Sequence, residues 1–91
     1  MAESYDIAIK VISQKGSCHS GHKVGDEWVM QSYNHKTPQG ICLFAFNSLY
    51  PLAQVLMYSG SFPWSADPDV TSIACIDEDN PVVFELRRLR K

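Results

Sequence analysis

Apolar residues recur at two different periods along this chain, and the change of period marks its elements. From Asp6 to Ile12 the residues Ile7, Ile9 and Val11 occupy every second position. That is the spacing at which an extended chain puts side chains on one face, and β-branched residues suit such a pleat. Residues 13–22 are small, polar and glycine-bearing, which predicts a loop. Residues 24–30 read as a second strand entered through a turn at Gly25-Asp26, so the first two strands form a hairpin with a long connection. Pro38 and Gly40 break the following stretch. Beyond it Leu49, Leu52, Ala53, Leu56 and Met57 recur at helical spacing. Proline is tolerated in a first helical turn, so Pro51 places the N-cap at Asn47 or Ser48, with the helix running to about Ser59 and stopped by Gly60. A short separate helix over residues 41–46 is compatible with the pattern before it. Residues 61–65 are irregular and Asp67-Pro68-Asp69 is a turn. Residues 70–76 and 82–89 form two final strands; in the second, Val82, Phe84 and Leu86 alternate with Val83, Glu85 and Arg87, which predicts one wet face.

The resulting order is β-β-α-β-β, with no repeat and no internal linker. It predicts an α+β fold in which a small, mainly antiparallel sheet packs on one central helix, as a single domain over residues 1–91. A chain of 91 residues with 45% hydrophobic and 20% charged content is ordinary globular material, with a modest core that oligomerisation would help to cover. A net charge of −2 lacks the concentrated positive field that nucleic acid requires. Arg87, Arg88, Arg90 and Lys91 read as a solvated strand end and tail. A membrane span needs about 20 predominantly apolar residues, and Asn47, Ser48, Pro51 and Gln54 interrupt the uncharged middle. Residues 1–10 lack the basic-then-apolar order of a secretory signal. Cys18, Cys42 and Cys75 are odd in number and widely spaced, so a reducing, cytoplasmic setting is expected.

Candidate chemistry lies in the first loop. Cys18 and His22 supply a thiol and an imidazole four positions apart, both suited to zinc or a similar transition metal, with His35, His19 or Cys75 as further ligands. The same pair also suits nucleophilic catalysis, with His22 activating Cys18 and Asp26 or Glu27 orienting the imidazole. A third reading makes Gly21-His22 a turn, with the histidine capping backbone carbonyls, and Cys18 a small buried hydrophobe. The three stand side by side at this level.

Six of the ten aromatics, Phe44, Phe46, Tyr50, Tyr58, Phe62 and Trp64, lie in the charge-free segment from Thr37 to Ala66. Such a segment suits a core, a homo-oligomer interface, or a small-molecule pocket with Tyr50, Tyr58, Trp64, Asn47 and Gln54 as its polar groups. Base stacking would need basic neighbours, and none lies between Lys36 and Arg87.

The series Cys18-x-x-Gly21-His22-Lys23-x-Gly25-Asp26, Leu49-Tyr50-Pro51, Gly60-x-Phe62-Pro63-Trp64 and Pro81-Val82-Val83-Phe84-Glu85 resembles a family of small, uncharacterised conserved proteins of bacteria and archaea of about this length. The resemblance spans nearly the whole chain and implies a stand-alone domain without bringing a reaction. Where members of that family carry acidic residues ahead of the Tyr-Pro pair, this chain has Asn47 and Ser48. The leading expectation is a cytoplasmic, homo-oligomeric domain holding a metal ion or small ligand near Cys18 and His22. A compact enzyme using Cys18 or His22, and a structural interaction module, are the competing readings.

Overall fold

The alternation in the first and last strands is what builds the sheet. The computed structural model describes residues 4–16, 21–32, 36–75, 79 and 81–90. In it β1 (Asp6–Gln14), β2 (Glu27–Met30), α1 (Leu43–Met57), β3 (Val70–Ala74) and β4 (Val82–Leu89) follow one another. All strand pairings are antiparallel, in the order β2-β1-β4-β3. The α+β class and the helix packed on the sheet are as expected. The central position of β1 and β4 follows from their composition: Ile7, Ile9 and Val11 on one, and Val82, Phe84 and Leu86 on the other, are all buried beneath the helix. A register shift between Val11 and Ser13 bulges β1 at Ile12 and leaves that side chain exposed. On the opposite face, Lys10 stands between Glu27 and Glu85 across three strands. Opposite charges in cross-strand register suit a face turned to water.

The helix departs from expectation. It is one continuous element starting at Leu43, so the separate lead-in at 41–46 and the start at Asn47 or Ser48 are both replaced. Pro51 therefore lies inside the helix, where it removes the amide that would have bonded the carbonyl of Asn47. An interior proline costs about 3 kcal/mol. The same helix fully buries Leu49 and Leu56, each worth about 1.5–3 kcal/mol, and packs Ala45, Ala53 and Met57 beside them. Burial along the whole length outweighs the missing bond, and both Pro51 and Asn47 are exposed, so water replaces the lost donor.

Every carbonyl of the last helical turn is met. Tyr58 N–H donates to Gln54 O, Gly60 N–H to Val55 O at 2.8 Å, Ser59 N–H to Leu56 O, and Tyr5 N–H from the entry to β1 to Met57 O at 2.9 Å. This is a Schellman-type ending with Ser59, at φ 72°, in the left-handed position usually given to glycine. Gly60 follows for a different reason: a Cβ there would come within 2.5 Å of Val55 Cγ1 and 2.9 Å of Val55 O.

Arg88 ties this ending to the sheet. It extends the inward row of Val82, Phe84 and Leu86 and is 4% exposed, contrary to the solvated strand end expected for the terminal arginines. Its Nη1 donates to Leu56 O at 3.1 Å and Gly60 O at 2.9 Å, its Nη2 to Pro68 O at 2.9 Å, and its Nε to Asp69 Oδ1 at 2.9 Å. The guanidinium also lies over the Tyr5 ring, 5.5 Å from its centroid. Asp69 is shared with Arg90, whose Nε approaches both carboxylate oxygens at 3.0 and 2.9 Å. The hydrogen bond from Arg90, with support from Arg88, holds the Asp69 carboxyl below its ordinary value of 3.8, against a smaller opposing effect of burial.

Two outcomes follow from this cluster. Arg88→Met removes the described donor to the Gly60 and Pro68 carbonyls, one of two donors to Leu56 O and one of the two arginines on Asp69, and urea denaturation should show a loss of about 3–5 kcal/mol. Because the folded-state pKa of Asp69 is depressed, its contribution is present above about pH 3.8 and is lost as pH falls through the lower folded value. Asp69→Asn should therefore flatten the acid limb of a stability-versus-pH curve measured from pH 5 downwards; an unchanged slope would contradict the assignment.

Candidate functional site

The turn that opens β2 begins with local hydrogen bonding. Asp26 N–H donates to Lys23 O at 3.0 Å, and Asp26 Oδ2 accepts the Lys23 amide at 3.1 Å, closing residues 23–26 on themselves. Gly25, at φ 101°, supplies the left-handed residue that this turn requires. The hairpin is then zipped through Val11, whose N–H and C=O bond Asp26 O and Gly25 N–H.

Immediately before this turn, His22 is folded inward to 7% exposure. Its ring meets Trp28 edge-on with centroids 4.9 Å apart and Phe84 at 6.2 Å. Its Nε2 accepts the backbone N–H of Cys42, the N-cap residue of α1, at 2.9 Å. No side chain caps this helix from within its own segment, so an imidazole from a distant loop anchors the residue that starts it. With Nε2 accepting, the neutral ring carries its proton on Nδ1. The expected backbone role of His22 thus takes a particular form: it receives an amide at a helix start rather than capping carbonyls.

The candidate catalytic and metal residues are distributed as follows. Asp26 spends its described carboxylate bond on Lys23, and the described contacts do not join it to His22. Cys18 and His35, named with His22 as metal ligands, lie outside the described residues, as does His19. Among the described residues no three His, Cys, Asp or Glu side chains are grouped as a metal ion would require. Cys75 is a free thiol whose Sγ accepts the Val82 amide at 3.4 Å.

The aromatic candidates divide between two places. Tyr50 and Tyr58, from the helix and its cap, line a cleft of about 160 Å³ whose floor is Met30, Phe46 and Met57. Gln31, Ser32, Lys36 and Thr37, from the chain after β2, form its other wall. Phe46 and Tyr50 lie with ring centroids 5.3 Å apart. Ser32 is pinned by its amide to Asp6 Oδ1 at 3.1 Å, which fixes that wall to the start of β1. Asn47 is exposed on the helix and does not line the cleft. Trp64 stacks on Phe62 at 4.7 Å, donates from Nε1 to Thr71 Oγ1 at 3.3 Å, and borders a separate shallow groove with Ile12 and Glu85.

A third surface is the outward side of α1. Ala45, Leu49, Ala53, Leu56 and Met57 face the sheet. Leu43 is 77% exposed and Phe44 60% exposed, with Val55 and Tyr58 also open to solvent. Pro51, Asn47 and Gln54 complete that side, and the helix carries no charged residue at all. At 15 residues it is too short to cross a membrane, and no described helix is long and apolar enough to do so.

Comparison with protein families, with curated proteins and with solved structures gives no match for this chain.

Removal of the His22 ring tests its placement. His22→Ala loses a buried ring and leaves the Cys42 amide without its acceptor, and should lower stability by about 2–4 kcal/mol in chemical denaturation. His22→Gln, which keeps an acceptor, should recover part of the loss. An alanine variant as stable as wild type would remove His22 from this role.

Proposed function

We propose that this protein is a small homodimeric binding domain of the cytoplasm, paired through the outward face of α1. The supporting observation is that a helix with no charge on any side leaves Leu43, Phe44, Val55 and Tyr58 exposed in the single chain. An exposed patch of large apolar side chains on an uncharged face marks an interaction surface. The exposed side chains offer roughly 500–700 Å² per copy, so a symmetric pair reaches the lower end of the area that stable interfaces bury. The occupant best suited to a neutral face is a second copy. A two-fold axis brings identical groups together, and here it juxtaposes no like charges. A membrane surface suits it less well, because helices that lie on bilayers carry lysine and arginine along their polar side.

A catalytic role has less support, since His22 commits Nε2 to the helix start and Asp26 commits its described bond to a turn. Light scattering coupled to size exclusion should give twice the 10.2 kDa chain mass. Phe44→Lys combined with Val55→Lys, both at exposed positions, should give the monomer with unchanged far-ultraviolet circular dichroism. A monomeric wild type, or a dimer indifferent to both lysines, would overturn the proposal; a wild type that stays monomeric but sediments with neutral lipid vesicles would assign the face to a membrane instead.

A further inference from the structure

Trp64 is fixed in place yet stands largely in water, on a groove separate from the helix face and from the tyrosine cleft. We infer that this groove is a binding site for a neutral sugar of one pyranose ring. Its volume is about 320 Å³, at the lower end of the roughly 300–1,000 Å³ of small-molecule sites. That is room for a single ring with its substituents.

The apolar surface is built first. Phe62 stacks on Trp64 with centroids 4.7 Å apart and planes inclined by 27°. The indole N–H donates to Thr71 Oγ1 at 3.3 Å, and Thr71 is itself buried near the start of β3. The ring is thus held on one face and along its edge, and it is still 68% exposed where it lines the groove. An indole held this way offers a ligand a rigid ring face with little freedom left to lose. Ile12 adds to the apolar surface from β1, turned outward by the bulge in that strand. A pyranose suits such a surface, because the C–H groups on one side of its ring form an apolar face.

Around the apolar surface stand groups that bond hydroxyls. Ser65 and Ser72 contribute hydroxyls able to donate and accept, and Asp67 and Glu85 contribute carboxylates. Ser72 lies opposite Glu85 in the register of β3 and β4, so these two are neighbours. The charge on the carboxylates is already answered. Arg87 lies 3.4 Å from Glu85 Oε1 and 3.9 Å from Asp67 Oδ2, and Lys10 stands opposite Glu85 from β1. A cation would meet that positive charge behind the carboxylates, and an anion would meet the carboxylates themselves. A carboxylate has about four acceptor sites, so each keeps capacity for a ligand hydroxyl. Bonds of this charge-assisted kind are the stronger ones. A neutral ring with an apolar face and a rim of hydroxyls uses both sets of groups at once.

Methyl β-D-glucopyranoside is the probe. Sorbitol supplies the hydroxyls without a ring face, and benzyl alcohol a ring face with one hydroxyl. In a nitrogen-15 titration of the wild-type chain, the glucoside should saturably shift the Trp64 indole N–H and the amides of Ser65, Ser72 and Glu85. Its dissociation constant should fall near the millimolar range. Sorbitol and benzyl alcohol should each bind about tenfold more weakly, one lacking the stacking and the other the hydroxyl bonds. Trp64→Ala should lower glucoside affinity about tenfold, and Trp64→Phe should recover part of it. Glu85→Gln keeps the shape and removes the charge; it should weaken the glucoside about two- to fivefold and leave benzyl alcohol unaffected. The Ile9 and Phe84 amides, in the central strands, report that each variant stays folded.

The inference is overturned by glucoside shifts that do not saturate well above that range, by benzyl alcohol binding as tightly as the glucoside, or by wild-type affinity in Trp64→Ala. The groove shares no residue with the outer face of α1. The doubly lysine-substituted helix variant should therefore bind the glucoside as wild type does, whichever way the pairing test falls. Loss of binding in that variant would place the sugar on the helix and contradict the assignment.

Discussion

A single buried guanidinium joins the three parts of this fold that local structure leaves separate. Arg88 sits on a central strand, bonds the carbonyls of Leu56 and Gly60 at the end of the helix, and bonds Pro68 and Asp69 in the turn before β3. A charge this deeply buried is tolerable only when it is paired and its donors are used. Asp69 supplies the pairing charge and four of the donors are spoken for. The planar fork of arginine is required for this, because a lysine ammonium at the end of a flexible stem cannot reach divergent acceptors in one plane. At the other end of the helix the His22 ring receives the Cys42 amide. The helix is consequently held at both termini by side chains from the sheet and its loops, and its outer face is presented as a fixed surface.

The residues that look chemical and the residues that hold the fold overlap more than their types suggest. Gly25 and Asp26 form a tight turn, and His22 packs between Trp28 and Phe84. These roles account for the glycine, histidine and aspartate of the first loop without any reaction. Among the described residues, surfaces open to solvent lie along the helix: its neutral outer side, and the cleft lined by Tyr50 and Tyr58.

Much of the architecture was legible in the spacing of apolar residues. The alternation of Ile7, Ile9 and Val11, and of Val82, Phe84 and Leu86, marks strands with one buried face, and the spacing of Leu49, Ala53 and Leu56 marks the helix face. What spacing could not reveal were interactions between distant segments. The helix start was misplaced because Pro51 is a local stop signal, whereas the burial that overrides it is tertiary. Arg88 stood in a basic run that reads as solvated, although its alternation with Leu86 and Phe84 carried the signal of an inward position. Tyr50 and Tyr58 were recognisable as amphipathic aromatics, but Met30 and Lys36 reach the same cleft only through the folding of another segment.

The central claim is that both ends of the helix are fastened to the sheet as firmly as its middle. Native-state hydrogen exchange tests it directly. The Cys42 amide, bonded to His22, and the Gly60 amide, bonded to Val55 O, should exchange with nearly the same protection as Ala53 and the central-strand amides. Free exchange at Cys42 and Gly60, while Ile9 and Phe84 remain protected, would show frayed ends and contradict the account.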